Sequence, residues 1–493
     1  VFMKNKKKYV ISIDQGSTST KSIIYDDKLN FIASSQSKLD EIYPKEGWVE
    51  LDPNQIIKSV LYTIKDVVEK SEIDKNKIIS IGITNQRETI VFWDKSNLKP
   101  VGNAISWQCL RGKDICDNLR GSKFEKLLVD SSGLKLDPYF SFSKIVWSIK
   151  NNEKIYKLLT QNKLSFGTVD SWLITNMVEG SPHKIEITNA SRTGLYNTKS
   201  EDWDKELLSF LEIDSSCLPE IFSSNENFGN IKKEIIGKSL PINAILGDQQ
   251  SSLYGHKEKE MFEIKCTFGT GGFLLIDTGK KRVESNINFL STLAFKKNQN
   301  TNYALEGSIL SAGSTIEWLK KIGIVENFDD IEKAIEFSKL NQVMVIPAIN
   351  GLGAPFWNGN VRASLENLSS NTTREDIIRA TFESIAFSTK AIIEIIERTV
   401  DIDINEMKID GGISRSNFFS QFLADLINKK IKVAANTEIT SLGVAKLSLE
   451  SSQVIKSNSN SYIDFNPNKN NLEIYNNKYE KWKKIILEKT KES

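Results

Sequence analysis

Histidine and cysteine are scarce in this chain, and their scarcity narrows the chemistry it can perform. His183 and His256 are its only histidines, so only these two residues could supply the histidine of a Ser/His/Asp triad. The 4 cysteines show neither C-x-x-C spacing nor nearby histidines, which argues against a zinc site or a disulfide framework. We therefore expect reduced, mostly buried thiols, and a carboxylate rather than a histidine as any general base.

Long apolar runs and an excess of one charge are also lacking. No stretch approaches the roughly eighteen apolar residues needed to cross a bilayer, and the N-terminus lacks the apolar core of a secretory signal. Lys+Arg 65 against Asp+Glu 63 leave a formal charge of +2, so nothing demands a nucleic-acid partner. These features predict a cytoplasmic enzyme without membrane insertion. The basic arm at residues 4–8 is interpreted as a solvated, frayed terminus rather than a targeting element.

The length and the pattern of the chain predict two α/β domains. A chain of 493 residues exceeds the size at which one hydrophobic core keeps growing. Strand-like runs at 78–84 and 89–93 and a helical pattern at 53–68 favour an α/β domain over residues 1–255. A second α/β domain is predicted over residues 256–493, with a polar tail and a terminal helix from about residue 451. Inside it, Thr372 and Glu375 fit a capping box, which predicts the start of an amphipathic helix.

Two distant segments share one layout. Residues 10–25 (VISIDQGSTSTKSIIY) and 262–276 (FEIKCTFGTGGFLLI) each place small turn residues between apolar, β-branched runs. Such a turn lets backbone N–H groups and hydroxyls approach phosphate oxygens closely. Each segment alone is also typical of an ordinary β-hairpin, but the recurrence favours two hairpins that grip one polyphosphate from opposite sides.

The phosphate site must be built without a Walker loop, because no segment fits G-x-x-x-x-G-K-[ST]. The remaining solution is the paired hairpin of actin-like and ribonuclease-H-like folds, where two related domains close on ATP and Mg²⁺ lies near carboxylates at strand ends. Asp14 and Asp248 are the candidate carboxylates. Asp248 follows an apolar run and precedes small polar residues, a position that also fits a simple helix N-cap.

The segment 84–89 (TNQRET) crowds hydrophilic residues between apolar strands without Gly or Pro, which is unusual for a turn. Arg87 offers planar donors and Glu88 a matching acceptor, so together they suit a polar ligand with hydroxyl groups. Neighbouring strand residues point to opposite faces, so both reach one ligand only if the strand breaks there. A surface ion pair is the alternative.

Nine motifs, in order from about Tyr9 to Glu450, together resemble the FGGY family of carbohydrate kinases, and within it the members that phosphorylate glycerol. The family's fold is two actin-like (ribonuclease-H-like) α/β domains with a cleft between them. The motifs are DQGSTST (14–20), GITNQRET (82–89), WQC (107–109), DPYFS (137–141), GTVDSWL (167–173), TNASRTGLYN (188–197), GDQQ (247–250), FGTGGF (268–273) and GLGAPFW (351–357).

The resemblance implies a role for each matching residue. Asp248 would be the general base, with Asp14 and Asp248 near Mg²⁺. The groups that would contact glycerol are Arg87, Glu88, Trp107, Tyr139, Asp248, Gln249 and Phe273. The groups that would contact ATP are Gly16, Ser17, Thr18, Ser19, Lys21, Thr270, Gly313, Glu317, Gly412 and Ser416.

The chain departs from the family pattern at three of these positions. Lys21, Glu317 and Ser416 stand where the family commonly has Arg, Gln and Asn, so the phosphate and nucleoside contacts there are expected to differ. A homo-oligomer, either a dimer or a tetramer, is also expected. Two other functions fit parts of the sequence. One is a related sugar kinase for a ketopentose or an aldonate; the other is a non-catalytic actin-like protein whose nucleotide controls its shape.

Overall fold

The computed structural model describes residues 7–258, 262–285, 288–338, 341–454 and 461–492. Lys4 and Lys6 of the basic arm, and the polar loop predicted after residue 451 where it covers 455–460, lie outside the described residues. In the described ranges, no helix combines the length and the apolar character that a membrane span requires.

Strands and helices alternate through the first half of the chain, as predicted. The strands are β1 (Tyr9–Gln15), β2 (Ser19–Asp26), β3 (Phe31–Lys38), β4 (Glu41–Ile42), β5 (Glu50–Leu51), β6 (Ile78–Asn85), β7 (Ile90–Asp94), β8 (Ala104–Ile105), β9 (Leu164–Thr168), β10 (Lys184–Glu186), β11 (Tyr196–Asn197), β12 (Asp202–Trp203), β13 (Glu220–Phe222) and β14 (Ile242–Gly247). The helices are α1 (Pro53–Lys70), α2 (Lys113–Leu119), α3 (Lys123–Ser132), α4 (Ser141–Asn151), α5 (Glu153–Thr160), α6 (Val169–Met177), α7 (Ile187–Ala190), α8 (Lys205–Phe210) and α9 (Asp248–His256).

The second half continues the alternation. Its strands are β15 (Ile264–Phe268), β16 (Gly272–Gly279), β17 (Leu290–Lys297), β18 (Asn300–Ile309), β19 (Met344–Ile346), β20 (Ser364–Glu366), β21 (Glu406–Gly411), β22 (Lys430–Ala434) and β23 (Tyr462–Phe465). Its helices are α10 (Gly313–Lys321), α11 (Phe328–Phe337), α12 (Arg374–Val400), α13 (Asn417–Ile427), α14 (Ile439–Ser451) and α15 (Leu472–Glu492).

The two main sheets repeat one topology. The first sheet has the order β14-β6-β1-β2-β3, and the second contains β22-β21-β15-β16-β18 with β23 and β17 added at its edges. In the first sheet, β1 pairs antiparallel with β2 and parallel with β6; in the second, β15 pairs antiparallel with β16 and parallel with β21. Each half is therefore the same unit with a hairpin at its start, which confirms the predicted α/β fold and both predicted hairpins.

The sheets pack on helices through apolar faces. In α1, Ile56, Val60, Ile64 and Val67 recur at helical spacing and are fully buried against the first sheet. The capping box predicted at Thr372 and Glu375 lies one residue later: Thr373 is the N-cap of α12, and its partner is Asp376. Both pairs fit the sequence motif, and the backbone selects the pair adjacent to the first helical residue.

Helix α14 of the second half packs against the first half beside the predicted base. A Cβ atom on Gly443 would lie 1.8 Å from the carbonyl oxygen of Ser251, and one on Gly255 would lie 2.6 Å from that of Ile439. Only glycine permits such a close approach of two helix backbones. Helix α9, which begins at Asp248, is thereby held between the two halves.

Candidate active site

The loop between β6 and β7 brings Arg87 and Glu88 to the same side. Strand β6 ends at Asn85, and Glu88 adopts a φ of 61°, in the left-handed region, which breaks the strand before β7 begins at Ile90. The predicted break is therefore present. Arg87 and Glu88 are 2% and 1% exposed, so the alternative of a surface ion pair is wrong.

Four buried charged side chains alternate in sign around this loop. Arg87 donates to both carboxylate oxygens of Glu306, at 2.7 and 3.1 Å. Arg192 donates to Glu88 at 2.5 Å and to Glu306 at 3.0 Å. Glu306 lies on β18 of the second half, so the charge pairing joins the two halves at the position of the predicted substrate-binding pair. We call these four residues the charged ring.

The two glutamates of the charged ring differ in environment. Burial alone would raise the pKa of Glu306, but Arg192 and Arg87 together lower it to about 2. For Glu88, burial raises the pKa and outweighs the attraction of Arg192 and Arg87. Both oxygens of Glu306 contact arginines, whereas among the residues that the structure describes only Oε1 of Glu88 does so, at 2.5 Å from Arg192 and 3.9 Å from Arg87. Glu88 therefore retains acceptor capacity for a ligand hydroxyl.

Arg192 and Glu306 were not predicted as functional residues. Arg192 lies within the motif at 188–197, which contributes to the family resemblance but gives Arg192 no role of its own. Glu306 is an isolated charge in the apolar run of β18. That isolated charge was the available signal, because a carboxylate inside an apolar strand needs a cationic partner.

Removing Arg192 should destabilise the protein strongly. In Arg192→Met, two buried carboxylates lose a partner, and breaking a buried ion pair costs about 3 to 5 kcal/mol. Thermal or denaturant unfolding measures the change. In the control Arg120→Met, the ion pair with Asp117 is exposed, so the loss should stay below about 1 kcal/mol. Equal stability of Arg192→Met and the parent chain would contradict the charged ring.

An aromatic wall stands beside the charged ring. Trp107 lies edge-on to Tyr139 and Phe273, with ring centroids 5.7 and 6.3 Å apart. The Trp107 indole donates through Nε1 to Ser17 Oγ at 2.9 Å, which ties the wall to the tip of the first hairpin. The Tyr139 hydroxyl lies 3.4 Å from Arg87. The wall offers apolar surface for a carbon chain next to charged groups that are able to form hydrogen bonds with hydroxyls.

Asp248 is the first residue of α9 and follows β14 directly. The N-cap position belongs to Gly247, so the alternative of a simple N-cap is not what the backbone adopts. Asp248 Oδ1 accepts from the Gln249 N–H at 2.7 Å and lies 3.4 Å from Arg87 Nε. A third of its side chain (33%) is accessible, and burial raises its pKa despite Arg87. Asp248 therefore combines an accessible carboxylate with a position beside the charged ring.

Asp14, at the end of β1, shares its surroundings with other carboxylates. Burial, then Asp248, then Glu438 raise the pKa of Asp14 to about 7, and only Lys21 opposes them. Lys21 itself pairs with Glu438, with Nζ 2.5 Å from Oε1. The negative charge around Asp14 is therefore poorly compensated. No group of three or more His, Cys, Asp or Glu side chains able to hold a metal occurs in the described ranges.

The tips of the two hairpins are accessible and tightly turned. In the first, the Gly16 N–H donates to Ser19 O at 2.9 Å, and residues 16–19 are all at least partly accessible. In the second, exposed Thr270 lies where α10 begins, and the Gly313 N–H donates to Gly269 O at 3.0 Å. A Cβ atom on Gly313 would lie 2.4 Å from that oxygen, so this junction requires glycine.

Two of the residues predicted to contact the nucleoside have partners within the protein. Ser416 is fully buried, and its Oγ accepts the Phe419 N–H as the N-cap of α13. Glu317 is exposed and pairs with Lys320 at 2.6 Å on the outer face of α10. Gly412, by contrast, is exposed at the turn that follows β21, and Gly313 is partly accessible at the start of α10.

Models of the FGGY family of carbohydrate kinases match most of the chain. The model of the family's N-terminal domain matches residues 9–255, and that of its C-terminal domain matches residues 264–449. The chain belongs to the FGGY family of carbohydrate kinases. The predicted family is thereby confirmed.

Curated relatives of this FGGY kinase are named glycerol kinase. The protein of that name from Clostridium perfringens is 41% identical over 496 residues, covering 99% of each chain. The one from Thermoanaerobacter sp. is 40% identical, covering 97% of this chain and 98% of its own. The crystal structure of Plasmodium falciparum glycerol kinase with ADP matches with a TM-score of 0.87 at 33% identity, covering 98% of each chain.

A structure of lower identity shows the fold of this FGGY kinase again. Gluconate kinase from Lactobacillus acidophilus matches with a TM-score of 0.87 at 22% identity over 98% of each chain. The same two-unit fold thus serves kinases named for different substrates, so the fold alone does not define the substrate.

Proposed function

We propose that this chain is an ATP-dependent glycerol kinase that transfers the γ-phosphate of ATP to glycerol, giving sn-glycerol 3-phosphate and ADP. The observation that carries the proposal is the buried Arg87–Glu88 pair next to the accessible carboxylate of Asp248 and the aromatic wall of Trp107, Tyr139 and Phe273. The relatives named glycerol kinase, at 40 to 41% identity over nearly the whole chain, support it.

Glycerol has three hydroxyls on a short carbon chain, and the site offers partners for both parts. Arg87 and Gln249 donate, Glu88 accepts, and the Tyr139 hydroxyl does both. The carbon chain packs against Trp107 and Phe273. A site that binds hydroxyls rejects analogues lacking them, because each buried polar group left unpaired costs about 1 to 3 kcal/mol.

Asp248 acts as the general base. Its carboxylate takes the proton of a terminal hydroxyl while that oxygen forms a bond to the γ-phosphorus, and the bond from phosphorus to the β–γ bridging oxygen breaks to release ADP. Arg87 holds the carboxylate in place from 3.4 Å. Positioning and neutralisation of the phosphate charge supply the remainder of the rate.

The carboxylates of Asp14 and Asp248 suit a magnesium ion that the phosphates of the nucleotide would also bind. Mg²⁺ in kinases is commonly held by one or two carboxylates together with phosphate oxygens and water. Asp14 and Asp248 would hold it, and the poorly compensated negative charge around Asp14 suits a dication. The ion would supply charge neutralisation on the phosphates. Residues 16–19 and Thr270 would contribute donors from the two hairpin tips.

The two halves divide the work in this proposal. Residues 1–255 form the domain that carries most of the glycerol and phosphate contacts, and residues 256–493 form the nucleotide side, where Gly313 and Gly412 border the adenosine. Lys21, which pairs with Glu438, stays a predicted phosphate contact, and Glu317 and Ser416 stay predicted nucleoside contacts. A homo-oligomer stays a prediction.

A polyol panel with coupled detection of ADP tests the proposal. Glycerol should give the highest kcat/KM, and ketopentoses and aldonates should give little turnover. ATP hydrolysis without polyol should be slow, because the cleft closes and completes the catalytic site only when glycerol binds. Preference for a ketopentose or an aldonate would identify a related sugar kinase instead. ATP binding without transfer to any polyol would identify a non-catalytic actin-like protein.

The raised pKa of Asp14 predicts a pH-dependent stability. A carboxyl whose pKa is about 7 when folded and 3.8 when unfolded destabilises the metal-free protein increasingly as pH rises from 4 to 7. Asp14→Asn should therefore match the parent chain near pH 4 and exceed its unfolding free energy at pH 8 by about 2 kcal/mol, a discounted figure because the side chain is partly accessible.

Chemical denaturation without Mg²⁺ at several pH values measures this difference. Adding Mg²⁺ and ADP should reduce the advantage of Asp14→Asn at pH 8, because the ion stabilises the carboxylate of the parent chain. An advantage that does not change with pH would contradict the assigned surroundings of Asp14.

A further inference from the structure

A fully buried lysine lies behind the predicted glycerol contact Gln249. Lys265 is in β15, beneath the first turn of α9, and its Nζ donates to Gln249 Oε1 at 2.7 Å and to Thr267 Oγ1 at 2.8 Å. An ammonium group in such a place requires acceptors on every side that it faces. Gln249 supplies one of them.

The direction of the neighbouring hydrogen bonds is fixed by a buried carboxylate. Asp410 Oδ2 accepts from Thr267 Oγ1 at 3.1 Å and from Ser252 Oγ at 3.0 Å, and His256 Nε2 lies 2.7 Å from it. The Thr267 proton points either to Asp410 or to Ser252 Oγ, which is also 3.1 Å away, and in both cases the Thr267 oxygen accepts from Lys265. Lys265 is therefore a donor in both of its contacts.

This direction decides which end of the Gln249 amide faces the substrate. The oxygen and the NH₂ group of an amide have nearly the same shape, and only their partners select the orientation. An ammonium group cannot accept, so the oxygen of Gln249 must face Lys265 and the NH₂ group must face away. Within the part of the chain that the structure describes, this NH₂ group donates to no protein atom.

We propose that Lys265 is a positioning residue that fixes Gln249 as a hydrogen-bond donor toward the substrate. The proposal rests on the proposed function and deepens it. With Asp248 as acceptor and Gln249 as donor on adjacent residues, the site fits a group that donates and accepts at once, which is a hydroxyl. Without Lys265, the amide is free to turn and present its oxygen, and the match is lost.

Three variants in a double-mutant cycle test the proposal: Lys265→Met, Gln249→Leu and the combination. Each single change should raise the KM for glycerol about tenfold, the equivalent of one hydrogen bond, with little change in the KM for ATP. Because Lys265 acts through Gln249, the double variant should also raise the KM for glycerol by only about tenfold. A roughly hundredfold rise in the combination would show independent effects and overturn the proposal.

Lys408→Met is the matched control. Lys408 is paired with Lys265 in the parallel register of β15 and β21 and is equally buried, but its Nζ contacts the carbonyl oxygen of His256 at 2.8 Å and the acids Glu258 and Glu263. Its removal should lower stability and leave the glycerol KM unchanged. If both lysine variants raise that KM alike, the effect is structural and the proposal fails.

A variant that keeps Lys265 tests the proposal even if Lys265→Met does not fold. Gln249→Glu pairs one carboxylate oxygen with Lys265 and turns the other toward the substrate, an acceptor in place of a donor. Its glycerol KM should rise at least as much as that of Gln249→Leu; a KM like the parent's would overturn the proposal. Failure of the parent chain to phosphorylate glycerol would instead refute the proposed function.

Discussion

Replacing Asp248 with asparagine should lower the turnover number for glycerol phosphorylation by about 10³-fold, because a positioned general base contributes roughly 10² to 10⁴ in rate. Asparagine keeps the shape but cannot take the hydroxyl proton. ATP binding should persist in Asp248→Asn, since the hairpin tips and the turn at Gly412 remain intact. Single-turnover kinetics and calorimetric titration of nucleotide measure the two quantities separately.

Asp204→Asn is the control for that substitution. Asp204 caps α8, where its Oδ1 accepts the N–H groups of Glu206 and Leu207, and asparagine caps equally well. Its turnover should equal that of the parent chain. Near-normal turnover of Asp248→Asn would remove the proposed base.

Replacing Arg87 with methionine should lower kcat/KM for glycerol by about 10² to 10³-fold. The variant loses hydrogen bonds from a charged donor, each worth about 1.5 to 3 kcal/mol, and leaves Glu306 with one arginine partner. The loss should appear mainly as a higher KM for glycerol. Steady-state kinetics with glycerol as the varied substrate measures it, and denaturation measures the accompanying destabilisation.

Arg111→Met is the control that separates the loss of a substrate contact from the loss of stability. Arg111 is also buried, pairs with Glu50 and lies over the rings of Trp48 and Trp147, away from the charged ring. Its replacement should cost stability without changing the KM for glycerol. A rise in that KM equal to the rise in Arg87→Met would show that lost stability, rather than a lost substrate contact, governs the kinetics.

The parts of the fold that the sequence predicted are those with local signals. Both hairpins carry apolar runs around small turn residues, and α1 shows helical spacing, so neighbouring residues alone define them. The break at Glu88 follows from the requirement that Arg87 and Glu88 reach the same ligand. In an unbroken strand, neighbouring side chains point to opposite faces. The capping box of α12 was placed one residue early because two overlapping pairs fit the motif.

Local signals do not identify which distant residues pair with Arg87 and Glu88. Arg87 and Glu306 are 219 residues apart, and Glu88 and Arg192 are 104 apart, so no local pattern links them. The orientation of Gln249 depends on Lys265, whose importance follows only from burial beneath α9. Ser416 lies at a position that matches the family's nucleoside contact, and its role as the N-cap of α13 was also not evident from the motif.

A crystal structure with glycerol, Mg²⁺ and a non-hydrolysable ATP analogue tests the central claim most directly. The Asp248 carboxylate should lie within hydrogen-bond reach, about 2.6 to 3.2 Å, of the terminal glycerol oxygen that faces the γ-phosphate, with both hairpin tips on the triphosphate. Glycerol bound elsewhere, or the Asp248 side chain turned away while one hairpin alone touches the nucleotide, would contradict it.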